Sequence, residues 1–299
     1  MPPDAVIGLS LPLAYLLGDP SSAPAGPAWQ AAFGNADQGL SALRSAGVSS
    51  VELRSITQGT DPELALRAAR RVWEAGLQVT VHGYLPKPPL GQTFADLYPP
   101  LLPLAEALSA RGGEGLVTVH CYPVGDATVE ETAERTAQAL GRIAAGLERE
   151  QVPLRIALEN DRLHGQPRPG ATYGGILNVI DRVASPRLGA CWDFGHAQAN
   201  VQQGYLEQVP PAAYLQRVIH THIHDLAPRT HCPLTCGVVP FGLYVDLLLA
   251  SGYAGAYNLE LNPERFGGGD AGELVCASIE RLTAHLGRRT GAGAHSSAP

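Results

Sequence analysis

Residues 188–196 read Leu-Gly-Ala-Cys-Trp-Asp-Phe-Gly-His, an apolar run that ends in an aspartate and, three residues later, a histidine. A short apolar run of this length is typical of a strand that is buried on both faces of a parallel sheet. The acidic residue stands where such a strand would end. The stretch therefore predicts a buried strand whose carboxyl end carries the polar side chains Asp193 and His196.

The same pattern occurs eight times along the chain, and helical patterns separate the runs. The predicted strands are Val6–Leu11, Ser50–Leu53, Gln78–Tyr84, Gly115–Tyr122, Arg155–Asn160, Leu188–Phe194, Val218–Asp225 and Ala256–Leu261. Eight βα units in one chain of this length predict a single α/β domain, a closed (β/α)8 TIM barrel. An open nucleotide-binding sheet would show a Gly-rich turn after its first strand, and Pro12–Tyr15 contains none.

Helix signals support the alternation of strands and helices. Thr128 and Glu131 form a capping-box pattern ahead of a long apolar stripe. The predicted helices are Pro62–Gly76, Thr128–Gln151, Phe241–Gly252 and Ala271–Gly287. Gly18–Asn35 is rich in Pro, Ser, Ala and Gly and is predicted to be irregular, with a plain surface loop favoured over a lid. We expect the barrel to span residues 1–289 and Thr290–Pro299 to form a disordered tail.

Composition excludes several classes of protein. Hydrophobic residues make up 45% of the 299 residues, so a large core can be buried, and the 16% of charged residues argues against a disordered chain. The formal net charge of −7 disfavours a nucleic acid as partner, because phosphate contacts require a basic surface.

The cysteines and the apolar runs indicate a cytoplasmic protein. Five cysteines are an odd number, and Cys232 and Cys236 have no second pair with which to form a zinc knuckle, so reduced thiols are expected. The first residues lack the pattern of a signal peptide. No apolar run approaches the roughly 18 residues of a membrane span.

Six successive predicted strands end in a His, Asp or Glu within an otherwise apolar run. These residues are His82, His120, Glu159, Asp193, His222 and Glu260. Each follows the previous one by about the length of one βα unit. Equivalent positions on the strands of a barrel converge at its carboxyl-terminal mouth, so residues far apart in sequence are expected to become neighbours.

This set of donors predicts a divalent metal. Buried carboxylates repel one another and lose hydration, and a cation compensates for both costs. Mixed oxygen and nitrogen donors suit Mn2+, Zn2+, Co2+ or Mg2+. A single strand histidine is more often a packed core residue than a ligand, but six polar residues in register favour the metal. His220 and His224 alternate with His222; we expect His220 to lie deeper and His224 to lie beyond the strand.

At these residues the chain resembles the xylose-isomerase-like barrel superfamily. The resemblance runs from about residue 48 to residue 265. The superfamily contains sugar and sugar-phosphate isomerases and epimerases, inosose dehydratases, hydroxypyruvate isomerases and the type-IV apurinic endonucleases. The matching motifs are Glu159-Asn160, Asp193-x-x-His196, His222-x-x-Asp225 and Glu260, of which Asp-Phe-Gly-His at 193–196 is the most distinctive.

The epimerase branch implies one set of roles. The residues matching Glu159, Asp193, His222 and Glu260 hold one divalent cation there. The two glutamates lie on opposite faces of the substrate: one removes a proton beside a carbonyl and the other returns it, through a metal-stabilised enediolate. The residue matching His196 contacts substrate oxygens. Arg229 follows the seventh strand and is a candidate for binding a substrate hydroxyl or phosphate, with an exposed loop arginine as the alternative.

The endonuclease branch implies a three-zinc site instead. Eight residues of this chain match ligands of that site, namely His82, His120, Glu159, Asp193, His196, His222, His231 and Glu260. One ligand departs from the pattern: Arg229 stands where the family has an acidic residue. The departure disfavours the third metal, whereas His82, His120 and His231 are candidates for a second one.

We therefore rank three hypotheses. The first is a metal-dependent isomerase or epimerase that acts on a sugar, sugar phosphate, polyol or small hydroxy-carbonyl compound. The second is a metallohydrolase of the type-IV apurinic endonuclease kind, and the third is a barrel that binds a ligand without catalysis. The expected partner is a small molecule, and an assembly of identical copies is compatible with the sequence.

Overall fold

A computed structural model describes residues 5–19, 26–163, 165, 167–227, 229–235 and 237–293, with side chains as far as residue 287. Its eight strands form a closed barrel in chain order, in which every neighbouring pair is parallel and β1 pairs with β8. The strands are β1 Ile7–Pro12, β2 Ser50–Arg54, β3 Gln78–His82, β4 Gly115–His120, β5 Leu154–Glu159, β6 Leu188–Asp193, β7 Val218–Ile223 and β8 Tyr257–Leu259. The predicted TIM barrel is confirmed, and each strand lies within two residues of its predicted ends.

The helices pack outside the strands. They are α1 Leu13–Leu16, α2 Gly26–Phe33, α3 Ala36–Ser45, α4 Pro62–Glu74, α5 Phe94–Leu97, α6 Leu102–Ala110, α7 Val129–Arg149, α8 Tyr173–Val183, α9 Phe194–Gln202, α10 Ala212–Leu215, α11 Phe241–Ala250 and α12 Ala271–Gly293. The capping box of Thr128 and Glu131 starts α7 as predicted. Helix α12 continues past its predicted end at Gly287, and residues 294–299 of the expected tail lie outside the described residues.

The segment Gly18–Asn35 differs from its prediction as an irregular loop. Residues 20–25 lie outside the described part, but residues 26–33 form α2. Trp29 is fully buried in this helix, and its ring packs against Phe33 at 5.9 Å and Tyr15 at 6.4 Å. Burial of one large aromatic ring outweighs the weak helix propensity of a Gly- and Pro-rich sequence, because tertiary packing supplies most of the stability of a short helix.

A polar network occupies the barrel interior beneath the carboxyl-terminal mouth. The fully buried carboxylate of Glu52 on β2 accepts hydrogen bonds from Ser10 Oγ at 2.7 Å and Thr118 Oγ1 at 3.3 Å. The Nε2 atoms of His220 and His222 lie 3.2 and 3.0 Å from its two oxygens. This network supports the residues of the mouth from below.

One strand pairing is irregular near the mouth. The pairing of β6 with β7 shifts register between Ala190 and Cys191, so that Asp193 lies beside His222. Irregularities of this kind are frequent next to functional sites.

None of the helices in the described part of the chain is long and apolar enough to cross a membrane. Cys121, Cys191 and Cys276 are free thiols, Cys232 is buried, and Cys236 lies outside the described residues.

Candidate metal centre

The four residues expected to hold a cation gather at the carboxyl ends of the strands. Glu159, Asp193, His222 and Glu260 are each at most 3% exposed. The Nδ1 atom of His222 lies 3.0 Å from Glu159 Oε1 and 3.4 Å from Glu260 Oε2. Asp193 lies beside His222 on the neighbouring strand. The structure therefore brings the sequence-distant set into one buried cluster.

The donors of this cluster fit a divalent cation. Several buried atoms have no hydrogen-bond partner among the described residues, although nitrogen and oxygen atoms of the cluster contact one another at 3.0–3.6 Å. They are both carboxylate oxygens of Glu159, Asp193 Oδ2, Glu260 Oε2 and His222 Nδ1. Unpaired buried polar atoms are costly, and a shared ion would satisfy them together. His82, His222 and Glu260 also offer ligand atoms within 4.8 Å of one another.

The electrostatics keep both glutamates ionised. Burial raises the pKa of the Glu159 carboxyl, but His120 and His222 outweigh burial and hold that pKa well below its usual range. Burial also raises the pKa of the Glu260 carboxyl, but the Arg54 guanidinium and nearby histidines outweigh burial and hold that pKa well below its usual range. Ionised carboxylates are the form that binds a cation and the form that accepts a proton.

His82 and His120 form an outer part of the cluster. Their Nε2 atoms lie 3.2 and 3.3 Å from the same oxygen of Glu159, so these three residues could share a second ion. The Nδ1 atom of His120 lies 2.9 Å from Asp161 Oδ1. A carboxylate behind a histidine fixes the orientation of the ring and presents its other nitrogen to a metal. Sequence reasoning did not find Asp161, which follows β5 in a loop.

Asp193 is held from several sides. It ends β6 and caps α9, where its Oδ1 accepts the His196 backbone N–H at 2.6 Å. Its own N–H donates to Asn160 Oδ1 at 2.7 Å, and His224 Nε2 lies 3.2 Å from its Oδ1. A Cβ on Gly195 would come within 1.9 Å of the His224 ring. The glycine of the Asp-Phe-Gly-His motif is thus needed for the close approach of His224 to Asp193.

Gly195→Ala tests this packing. The fully buried His224 ring must shift, so we expect a loss of roughly 1–3 kcal/mol in unfolding free energy and weaker metal binding, because Asp193 loses a partner. Chemical unfolding and metal titration measure both quantities. Gly174→Ala in α8 is the control, since no atom of the described residues outside its own helix lies within 4 Å of the added Cβ. Equal stability and metal affinity in the two variants would contradict the proposed packing.

His231 connects Glu260 to an arginine that sequence reasoning missed. Its Nε2 lies 3.3 Å from Glu260 Oε2, and its Nδ1 lies 3.2 Å from Arg265 Nη1. Arginine only donates, so Nδ1 must accept, and burial lowers the pKa of His231 to about 4. The neutral ring then carries its proton on Nε2 and donates it to Glu260. This geometry favours His231 as an orienting residue for Glu260 over His231 as a metal ligand.

The two predicted substrate-binding residues lie in different places. His196 Nδ1 lies 3.6 Å from Glu159 Oε1 and 3.5 Å from Asp193 Oδ2, so His196 belongs to the cluster. Arg229 is exposed in the loop after β7 and lines a cavity beside the cluster.

Strand β2 carries two residues of the site that sequence reasoning missed. Glu52 holds His222 from below, and Arg54 Nη2 lies 3.0 Å from Glu260 Oε1. Both residues lie in the run Val-Glu-Leu-Arg at the end of a predicted strand. The rule that found polar ends on β3 to β8 would have found them if it had been applied to β2.

Comparison with known proteins places the chain in a family. A family model described as a xylose isomerase-like TIM barrel matches residues 40–285. An uncharacterized protein of Methanocaldococcus jannaschii is 36% identical over 74 residues, a match that spans 24% of this chain and about a quarter of that relative's length.

Solved structures of sugar epimerases share the fold. An L-ribulose 3-epimerase has a TM-score of 0.63 at 18% identity, with 98% of each chain covered. The D-allulose 3-epimerase of Methylomonas sp. has a TM-score of 0.60 at 17% identity and covers 94% of this chain and 98% of its own. The 3-keto-D-glucoside 4-epimerase of E. coli has a TM-score of 0.61 at 16% identity, over 83% of this chain and 94% of its own. With its family model matched from residue 40 to residue 285, the chain belongs to the xylose isomerase-like TIM barrel family.

Proposed function

We propose that the protein is a divalent-metal-dependent isomerase or epimerase of a sugar or related hydroxy-carbonyl compound. The observation that carries the proposal is the pair of buried, ionised glutamates, Glu159 and Glu260, on either side of His222 Nδ1. Such a reaction moves a proton from one carbon beside a carbonyl and returns it to the same carbon or a neighbouring one. Two carboxylates on a shared substrate can divide these tasks.

The chain's own residues supply the proton chemistry. Glu159 ends β5 and Glu260 directly follows β8, so a substrate bound between them would present opposite faces to the two carboxylates. His196 lies beside Glu159 and is suited to hold a substrate oxygen. A divalent cation bound by Glu159, Asp193, His222 and Glu260 would stabilise negative charge on substrate oxygens.

Solvent exchange tests the reaction class directly. Protein supplied with Mn2+ in deuterated water should place deuterium at a carbon beside the carbonyl of an accepted ketose, and mass or NMR spectra would show it. A broad panel of neutral, phosphorylated and acidic ketoses and aldoses should be used. Absence of exchange across the whole panel, in protein shown to contain metal, would reject the proposal.

Metal content is the second expected result. Protein stripped with a chelator should bind one equivalent of Mn2+, Zn2+, Co2+ or Mg2+ tightly, with His82, His120 and Glu159 as a weaker second site. Binding should stabilise the fold by about 4 kcal/mol when the free ion is 1,000-fold above its Kd. Elemental analysis and thermal unfolding measure these effects.

A matched pair of variants shows which residues hold the ion. Asp193→Asn should lose the bound metal, whereas His285→Gln should keep it, because His285 pairs with Asp246 outside the barrel mouth. Full metal content in Asp193→Asn would remove that residue from the ligand set.

A metallohydrolase of the type-IV apurinic endonuclease kind is the second candidate. The contacts of His82 and His120 with one Glu159 oxygen favour it, because a second ion there exceeds what a single-metal epimerase needs. Three zinc ions per chain together with nicking of an abasic duplex would support this candidate over the isomerase.

A further inference from the structure

A cavity of about 620 Å3 opens beside the metal centre. The loops after β5, β7 and β8 and the end of α9 enclose it. Three arginines line it, Arg162, Arg229 and Arg265, together with polar side chains that include Gln202 and Thr230. None of the described residues that line this cavity is acidic.

The three arginines lack carboxylate partners within the described part of the chain. The Nε atom of Arg162 is buried and has no hydrogen-bond partner there. Arg265 donates to Thr230 Oγ1 at 3.0 Å, and its Nη1 lies 3.2 Å from His231 Nδ1. Some arginines elsewhere on the surface do have such partners: Arg187 pairs with Glu114 and Arg217 pairs with Asp181.

The cavity concentrates positive charge on a protein that is acidic as a whole. The chain carries a formal net charge of −7, yet three positive groups face one concave space. Like charges repel one another at close range, and an anion between them removes that cost. The planar guanidinium matches phosphate and carboxylate oxygens with paired hydrogen bonds.

The cavity is also close to the proton chemistry. One imidazole ring, that of His231, separates Arg265 from Glu260, with contacts of 3.2 and 3.3 Å on its two sides. A molecule that placed an anionic group against the arginines could extend its carbon chain toward Glu260. The loops after strands seven and eight are also a frequent place for phosphate binding in TIM barrels.

We propose that this arginine cavity binds an anionic group of the substrate, a phosphate or a carboxylate, so that the enzyme acts on a sugar phosphate or a sugar acid in preference to a neutral sugar. The inference rests on the proposed function for the reacting end of the substrate. The binding of the anion itself rests only on the cavity.

Binding of inorganic phosphate tests the cavity without any turnover. Calorimetric titration of the metal-loaded protein should show phosphate binding that Arg162→Gln and Arg229→Gln each weaken about tenfold or more, because each removes a charge-assisted hydrogen bond. Arg67→Gln on the outer face of α4 removes the same charge and should leave binding unchanged. Thermal unfolding of all three variants shows whether they are folded. Equal phosphate affinity in wild type and the two cavity variants would overturn the proposal.

Exchange assays with three related compounds distinguish the sources of the anion. D-Ribulose 5-phosphate as the preferred substrate would indicate a phosphate, D-fructuronate would indicate a carboxylate, and either preference should be lost in Arg162→Gln. Exchange with neutral D-ribulose that is equally efficient and insensitive to Arg162→Gln would overturn the cavity proposal and keep the isomerase. Phosphate binding that depends on the arginines, without exchange of any compound, would support the cavity and reject the isomerase. Nicking of an abasic duplex that depends on Arg162 would assign the arginines to a nucleic acid and overturn the proposal.

Discussion

Glu159→Gln and Glu260→Gln are each expected to reduce conversion of substrate to product by about 100- to 10,000-fold, the usual contribution of a positioned acid or base. Glutamine keeps the size of the side chain and one oxygen atom that can bind a metal, but it cannot take up or return a proton. Both carboxyls are buried, with pKa values held well below their usual range. Because glutamine fits the same space, the loss at equal metal occupancy should come from the missing proton transfer and not from disrupted packing.

The two variants should also differ from each other. If each glutamate serves one face of the substrate, each single variant can still exchange the carbon-bound proton of one epimer. We expect Glu159→Gln to label one epimer with deuterium and Glu260→Gln to label the other, and neither to interconvert them. NMR spectra of each epimer after incubation in deuterated water measure this difference.

Metal content and a surface control separate catalysis from binding. Each variant should be compared at equal metal occupancy, because both glutamates are candidate ligands. Glu106→Gln changes an exposed carboxyl on α6 and should retain full activity. Interconversion at the wild-type rate in either site variant would show that the reaction does not use that glutamate as acid or base.

The sequence predicts which side chains meet at the barrel mouth wherever the residues stand in a strand. Strand periodicity fixes which residues reach the mouth, and the barrel brings equal positions together, so the neighbourhood of Glu159, Asp193, His222 and Glu260 follows from counting along the chain. The same rule applied to β2 would have included Glu52 and Arg54.

Residues in loops do not follow such a rule. Arg162 and Arg265 lie beyond strand ends, where no periodicity relates a residue's position in the sequence to the direction of its side chain. Their meeting in one cavity therefore could not be predicted by counting along the chain. The orientation of a ring is also decided by its contacts. Only the approach of Arg265 to Nδ1 of His231 shows which nitrogen faces Glu260.

Glu52 is expected to have the largest effect on stability. Its carboxylate is fully buried and contacts Ser10, Thr118, His220 and His222 at 2.7–3.3 Å. Glu52→Ala would leave these polar groups without their acceptor inside the barrel. Removal of one partner from a buried charged network costs about 3–5 kcal/mol, so we expect a loss of that size in the free energy of unfolding. Denaturant unfolding measures it.

Two comparisons show whether burial of the carboxylate causes the loss of stability in Glu52→Ala. Glu114→Ala removes a carboxylate that pairs with Arg187 at 3.3 Å, but the Glu114 side chain is 52% exposed, so its loss should cost no more than about 1 kcal/mol. Glu52→Gln keeps the volume and should be less destabilising than Glu52→Ala. Similar stabilities for Glu52→Ala and Glu114→Ala would contradict a structural role for the interior network.

Glu52→Gln should also weaken metal binding, which the substitution of a purely structural residue would not do. Nε2 of His222 lies 3.0 Å from the Glu52 carboxylate, which leaves Nδ1 turned toward Glu159 and Glu260. Carboxylates behind ligating histidines typically contribute 10- to 100-fold to metal affinity. Ser10→Ala removes a hydrogen bond to the same carboxylate without touching the histidine, so it should lower stability slightly and leave metal affinity unchanged. A fall in affinity for Glu52→Gln alone would show that the interior network extends its effect to the mouth, because only that variant alters the group that orients the His222 ring.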